Sequence, residues 1–244
     1  MHKWILRVIL LALLALAGFQ PPAFLEKPLP ASYFLQLVGD PEVRMVQRAV
    51  FMVKVKHREG ERNGTGVAVG KGLMLTAFHL VGNLRTGKIT AEEIWLSQPH
   101  TEWKEEIPAE IVKADPSLDL VVLKFEAPIE LPSISPGDPV RLRPGEVIYV
   151  IGHEFFPGGI GVLYPRDGEI LDELREESAF FAIFPPVARG FSGGGVFNQK
   201  HELVGIVSRN FIFFQTFREG GRFYKTTKRG ALVIKVDRAL RLLE

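Results

Sequence analysis

The sequence predicts an all-β chain: two antiparallel β-barrels with a short C-terminal helix. Three observations predict it. Apolar runs are short, evenly spaced and punctuated by glycine and proline, a pattern that suits barrels rather than βαβ units. The chain has 244 residues, 46% of them hydrophobic, enough for two small barrels sharing a cleft. Pro132, Pro136 and Pro139 divide the runs into two sets.

Residues 1–17 read as a signal peptide. Lys3 and Arg7 lead into the apolar run Val8 to Ala17, and Ala15-Leu16-Ala17 forms a small-x-small cleavage site. The run reaches only Phe19 before Gln20-Pro21-Pro22, short for a membrane span, so a cleaved leader is favoured over an uncleaved anchor. Residues 18–44 form a lead-in marked by Pro21, Pro22, Pro28 and Pro30, with Asp40 set to cap a short helix from Pro41 to Arg48. The main domain is expected over 45–244, with its first barrel at about 45–130 and its second at about 140–236.

In the first barrel the expected strands are Val50 to Val55, Gly66 to Val69, Leu73 to Thr76, Ile107 to Val112 and Leu120 to Phe125. The second would use Val147 to Ile151, Gly161 to Leu171, Phe180 to Phe184, Gly195 to Phe197, Leu203 to Ser208 and Leu232 to Val236. A closing helix is expected from Val236 to Leu243, with Leu240, Leu242 and Leu243 as its inward face. The stretch Phe211 to Gly230 interleaves five cations with six aromatics. It reads either as a lid or partner surface or, the favoured reading, as an extended hairpin with a solvated basic face.

Composition excludes several classes. The formal charge is +2, but Lys3 and Arg7 belong to the leader, and without them 28 basic residues face 28 acidic. A nucleic-acid partner therefore has no support, and a membrane partner enters only through an uncleaved leader. There is no cysteine, which removes disulfides, thiol nucleophiles and thiolate metal sites. No histidine forms a His-Glu-x-x-His pattern, so a zinc site of that kind is unsupported. No metal or organic cofactor is expected.

The chemistry concentrates in three segments. Gly190-Phe191-Ser192-Gly193-Gly194-Gly195 places a serine among glycines, His79 ends Leu75-Thr76-Ala77-Phe78-His79, and Asp119 lies between Asp115-Pro116-Ser117-Leu118 and the run from Leu120. A serine hydroxyl is a weak nucleophile until a neutral imidazole takes its proton, and a carboxylate is needed to hold that imidazole in the right tautomer. Surrounding glycines let the backbone turn so that N–H groups face a developing oxyanion. Asp115, followed by Pro116, better fits a turn aspartate. The Gly-x-Ser-x-Gly pattern also matches a nucleophile elbow, but there the histidine comes last, and only His201 follows Ser192. Chain order rejects that reading.

These segments resemble the trypsin-like serine peptidases of the bacterial HtrA/Deg type. So do Gly64-Thr65-Gly66-Val67-Ala68-Val69 and the closing Gly230-Ala231-Leu232-Val233-Ile234-Lys235-Val236-Asp237. The resemblance spans roughly 45–244. It implies a chymotrypsin-like pair of six-stranded barrels and an exported, periplasmic or secreted serine endopeptidase acting on polypeptides. No room is left for the PDZ module that many relatives carry, and nothing in the sequence sets the oligomeric state. By the same resemblance His79, Asp119 and Ser192 are the triad, and the backbone N–H groups of Gly190 and Ser192 form the oxyanion hole. Ser208 starts the strand lining the specificity pocket, Arg209 and Asn210 edge the cleft, Pro186 lies at the pocket base and Arg189 near its mouth. The competing reading is a catalytically inactive peptidase fold that only binds.

Three residues depart from the family pattern. Phe78 stands beside the histidine where a small residue is usual, and is expected to crowd it. Gly195 replaces a proline after the double glycine. Phe191 stands where animal enzymes carry an aspartate that pairs with a newly cut N-terminus, an ion pair a phenyl ring cannot make. His153-Glu154-Phe155-Phe156-Pro157 is expected in a barrel loop near the cleft, with no chemical role.

Overall fold

Alternation along the strands gives each barrel its interior. Strand β1 (Val50–His57) buries Val50, Phe51, Val53, Val55 and His57 and turns Lys54 outward and Lys56 into solvent, the period of two that a half-buried strand imposes. The computed structural model describes residues 39–98, 105–127, 130–156, 160–170, 178–219 and 222–244. The leader and most of the lead-in lie outside the described residues.

The first closed barrel runs in the order β1-β2-β3-β8-β7-β6. Its other strands are β2 (Gly60–Gly70), β3 (Leu73–Ala77), β6 (Ala91–Ser97), β7 (Ile107–Asp115) and β8 (Leu120–Phe125). A two-residue pair, β4 (Gly82–Asn83) with β5 (Lys88–Ile89), lies between β3 and β6. The second barrel closes as β10-β11-β14-β13-β12-β9. It comprises β9 (Val147–Phe156), β10 (Ile160–Ile170), β11 (Phe180–Phe184), β12 (Gly195–Phe197), β13 (Leu203–Glu219) and β14 (Arg222–Lys235). The architecture is the all-β double barrel expected from the sequence.

Strand β6 is the barrel strand the sequence analysis omits, along with the short β4–β5 pair. Its inward side holds only Ile94 and Leu96, and Glu92 and Glu93 face solvent. What fixes it is pairing with β1, where Lys56 sits opposite Glu93 and their side chains meet at 2.6 Å. That hydrogen bond pushes the Lys56 amine up and holds the Glu93 carboxyl below its ordinary range. Both groups are exposed, so the contact specifies register more than it adds stability.

Three apolar clusters organise the interior. One fills the first barrel with Phe51, Val53, Val55, Met74, Phe78, Val121, Leu123 and their neighbours. Another fills the second with Ile148, Val150, Ile183, Phe191, Val196, Val204, Val207 and Val233 among others. The third is the seam between them, made by Val50, Val67, Leu75, Leu120 and Val122 of one barrel and Tyr149, Ile151, Phe197, Ile206 and Ile234 of the other. Strands β8 and β9 thus bury both faces: Val121 and Leu123 point into a barrel, Leu120 and Val122 into the seam.

Short helices seal the seam. In α1 (Pro41–Gln47) Asp40 caps the Glu42 N–H at 2.8 Å, and Val43 and Val46 insert into the seam cluster. Helix α3 (Val236–Arg241), two residues shorter than expected, adds Val236 and Ala239. Beyond Asn210 and Gly230, β13 and β14 continue as a two-stranded ribbon out to Glu219 and Arg222. Its backbone is the hairpin of the favoured reading.

Candidate active site

His79 sits on a single helical turn, α2 (Phe78–Val81), directly after β3. Each carbonyl of that turn is engaged from outside or within. Arg62 of β2 donates from Nη1 to the His79 carbonyl at 2.7 Å and to that of Gly82 at 2.9 Å. His57 Nε2 lies 2.8 Å from the Leu80 carbonyl. A carbonyl only accepts, so Nε2 carries the proton there and Nδ1 accepts from the Thr90 hydroxyl at 3.0 Å. Phe78 corrects an expectation. Its ring is fully buried in the first barrel's core against Gly82, so it anchors the turn from below and does not crowd the imidazole.

Asp119 ends the turn between β7 and β8 with a left-handed backbone, φ 57°, a conformation that aspartate tolerates better than most residues. Asp115 builds that turn: its Oδ1 accepts from the Ser117 N–H at 2.9 Å, the Ser117 hydroxyl at 2.6 Å and the Leu118 N–H at 3.2 Å. Asparagine keeps the Oδ1 acceptor. Asp115→Asn is therefore expected to shift stability by no more than about 0.5 kcal/mol, as thermal melts would check.

The two elements meet at three points. The Phe78 N–H donates to the Asp119 carbonyl at 3.0 Å, the His79 N–H to Asp119 Oδ1 at 2.8 Å, and His79 Nδ1 lies 2.9 Å from Oδ2 and 3.1 Å from Oδ1. A carboxylate flanked this way accepts the Nδ1 proton and leaves Nε2 with its lone pair free to act as a base. Asp119 is only 3% exposed, so its charge needs those donors.

A fourth donor arrives from the other barrel. Ser208 is fully buried and its hydroxyl donates to Asp119 Oδ2 at 2.5 Å. A register shift between Val207 and Arg209 leaves Ser208 without a ladder partner on β14, and such a bulge re-aims a side chain. Ser208 was expected to start the strand lining the pocket; its side chain is committed to Asp119. Asn210, expected at the cleft edge, is exposed. Its side chain clasps Val187 of the β11–β12 loop, accepting from its N–H at 2.9 Å and donating to its carbonyl at 2.8 Å. Arg189 and Arg209 are exposed, Pro186 is half-buried, and Val187 is buried beside it.

Ser192 lies half-exposed between β11 and β12. Its carbonyl accepts the Thr65 N–H at 2.8 Å, which sets it against β2. Among the described residues no hydrogen bond joins its hydroxyl to His79, and neither the Gly190 nor the Ser192 N–H has an acceptor. Gly190 has φ 103° and Gly193 φ 83°, conformations that L side chains avoid. Space enforces glycine as well: a Cβ on Gly190 would strike the His153 carbonyl and the Phe155 ring, and one on Gly193 the Thr65 carbonyl. Phe191 is fully buried in the second barrel's core, its ring covering Gly152.

His201, which the elbow reading would need, lies in the turn after β12. Its Nδ1 is 2.9 Å from the Tyr149 hydroxyl and its Nε2 3.8 Å from Asp40, so it ties the seam to α1. His153 is fully buried on β9, not in a loop. Its N–H donates to the Thr65 hydroxyl at 2.9 Å. Sequence reasoning did not find Arg62, His57 or Thr65. The one available signal was for Thr65, a hydroxyl held between Gly64 and Gly66 in a segment already singled out.

A model of the family described as the trypsin-like peptidase domain matches residues 64–206. The chain is 29% identical over 170 residues to a probable periplasmic DegP-like serine endoprotease of Pseudomonas putida, covering 68% of this chain and 32% of that one. It is 27% identical over 153 residues to the periplasmic pH-dependent serine endoprotease DegQ of Escherichia coli, covering 61% and 31%. The chain thus spans about a third of the length of these curated relatives. Among solved structures, the Rv3671c protease of M. tuberculosis in its active form superposes with a TM-score of 0.64 at 17% identity, covering 89% of this chain and 87% of that one. The HtrA-type protease AlgW with a tripeptide gives 0.62 at 22%, covering 83% and 61%.

Proposed function

This chain belongs to the trypsin-like peptidase family, and from that premise we propose that it is an exported serine endopeptidase working through His79, Asp119 and Ser192. The observation that carries the reading is the Asp119 carboxylate, which accepts from His79 Nδ1 and from Ser208 across the seam. That arrangement fixes the one tautomer in which His79 can serve as a base.

The chemistry then follows in balanced steps. Ser192 Oγ attacks the scissile carbonyl while His79 Nε2 takes the hydroxyl proton, and the carbonyl electrons move onto oxygen. The free N–H groups of Gly190 and Ser192 receive that oxyanion. The imidazolium returns the proton to the leaving amine, giving an acyl-enzyme, and water repeats the attack. The His79–Ser192 hydrogen bond is expected to close on substrate binding, since such contacts are often long without substrate. Export rests on the leader sequence, and the DegP-like and DegQ relatives carry periplasmic names. Polypeptides are the substrates.

A labelled fluorophosphonate tests the reading. Label on Ser192, lost in Ser192→Ala, supports it; an unlabelled parent chain would mark an inactive binding module instead.

Specificity is proposed to favour small or medium apolar P1 residues. Pro186 offers no charge at the pocket base, and burying an unpaired lysine or arginine there would cost several kcal/mol. An apolar side chain gains about 1.5–3 kcal/mol from burial alone. Profiling on a peptide library should show cleavage after Val, Ala or Leu. A Lys/Arg-dominated profile would contradict this, and a Glu-dominated one would assign Arg189 or Arg209 to the pocket mouth.

A further inference from the structure

Thr65 lies on β2 at the seam, fully buried. All its polar atoms are engaged, and most of its partners belong to the other barrel. Its N–H donates to the Ser192 carbonyl at 2.8 Å. Its hydroxyl donates to the Gly190 carbonyl at 2.8 Å and accepts the His153 N–H at 2.9 Å. Its own carbonyl accepts from the Thr76 hydroxyl at 2.5 Å. One residue of the first barrel therefore grips two carbonyls of the nucleophile segment, on either side of Phe191.

We propose that Thr65 is a positioning residue for peptide hydrolysis: by holding the Gly190 and Ser192 carbonyls it fixes the peptide units that follow the two donors, and so the torsions at Gly190 and Ser192 that keep their N–H groups facing the cleft. The inference rests on the peptidase reading above.

The physical need is specific to Gly190. In a trans peptide the C=O and N–H point opposite ways, so the direction of each N–H is set by whatever holds the carbonyl of the same unit. The Gly190 N–H thus follows the Arg189 carbonyl, held by the Phe155 N–H at 3.2 Å, and the Ser192 N–H follows the Phe191 carbonyl, held by the Gly194 N–H at 2.8 Å. Thr65 holds the next unit after each, through the Gly190 and Ser192 carbonyls. Gly190 has no side chain to restrain it, and a glycine peptide reverses at little steric cost. A reversed Arg189–Gly190 unit would present a carbonyl where the oxyanion must sit. Phe155 pins that unit directly, and Thr65 pins the one after it, so the Gly190 torsions that a reversal would change are held from both sides. The hydroxyl is suited to the task because it donates to one backbone group while accepting from another, and valine, with the same shape, does neither.

Because the oxyanion develops in the transition state, losing this restraint should lower kcat and leave KM nearly unchanged. Deleting an oxyanion donor outright costs on the order of 10²–10³ in kcat. A donor kept but loosely aimed should cost less, about 10- to 100-fold.

The experiment compares Thr65→Val and Thr65→Ser with the parent in the full chain. Active sites are counted with a fluorophosphonate, kcat and KM are measured on a chromogenic peptide, and the affinity of a peptide trifluoromethyl ketone, whose tetrahedral adduct carries an oxyanion, is measured beside them. The expected result is a 10- to 100-fold lower kcat per labelled site in Thr65→Val, with KM within about twofold. Ketone affinity should fall in proportion, and Thr65→Ser should restore both. A merely structural role would reduce the labelled fraction and leave kcat per labelled site intact, which overturns the inference while sparing the peptidase reading. A parent chain that takes no label overturns both. Should Thr65→Val not fold, Thr65→Cys, with a thiol of weak donor strength, supplies the same comparison.

Discussion

Ser192→Ala is expected to lose essentially all hydrolysis of casein, a fall of about 10⁴ to 10⁶ in turnover. The size follows from the division of labour proposed above. Alanine leaves the oxyanion donors and the substrate cleft in place, so what disappears is the attacking oxygen and the acyl-enzyme route. The fold should not notice the change. The Ser192 side chain is half-exposed, and the bond that seats this residue uses its backbone carbonyl on Thr65, which alanine retains. Stability is expected to stay within about 0.5 kcal/mol of the parent, read by thermal or urea unfolding. Purified variant cleaving casein at the parent rate would remove Ser192 from the mechanism.

Asp119→Asn is expected to lower kcat by roughly 10⁴ through a change of tautomer. The carboxylate accepts from the His79 N–H, His79 Nδ1 and the Ser208 hydroxyl. An amide exchanges one acceptor oxygen for an NH₂ group that only donates. If the amide oxygen stays on the His79 N–H, its NH₂ faces Nδ1 and Ser208. The imidazole then relieves the conflict by moving its proton to Nε2, where it can no longer accept from Ser192. The variant should still bind peptide and still fold, though with some loss of stability, since Ser208 and its new neighbour are buried together. Kinetics on a chromogenic peptide would settle it: activity within tenfold of the parent would mean that Asp119 does not set the tautomer.

How far the sequence was legible depended on where each signal came from. Strands β8 and β9 were readable because both their faces are buried, which writes them as unbroken apolar runs such as Leu120 to Leu123 and Val147 to Ile151. Strand β6 was not, because Glu92 and Glu93 interrupt it and its place is set by pairing with β1. The inner ends of β13 and β14 were read as strands, and the run from Phe211 to Gly230 was read by preference as an extended hairpin, which the two strands form as one continuous ribbon.

The site divided along similar lines. His79, Asp119 and Ser192 stood out because their neighbours are distinctive in one dimension: a strand end, an Asp-Pro turn and a run of glycines. Ser208 was noticed as the start of a strand but given no partner, since the bulge that turns its hydroxyl toward Asp119 has no sequence mark. Phe78 was misjudged for a related reason. Adjacency to His79 in the chain says nothing about which face of a four-residue turn looks into the barrel. Arg62 and His57 act on backbone carbonyls, and a carbonyl is invisible in a sequence because every residue has one.

The machinery proposed above is split by the chain crossing near Pro136. His79 and Asp119 come before it; Ser192, Ser208 and the glycines come after. Neither half holds a weaker version of the whole: the first contains a base with nothing to activate, the second a hydroxyl with nothing to take its proton. For a gene, this means that a shuffled or duplicated half contributes no selectable activity by itself.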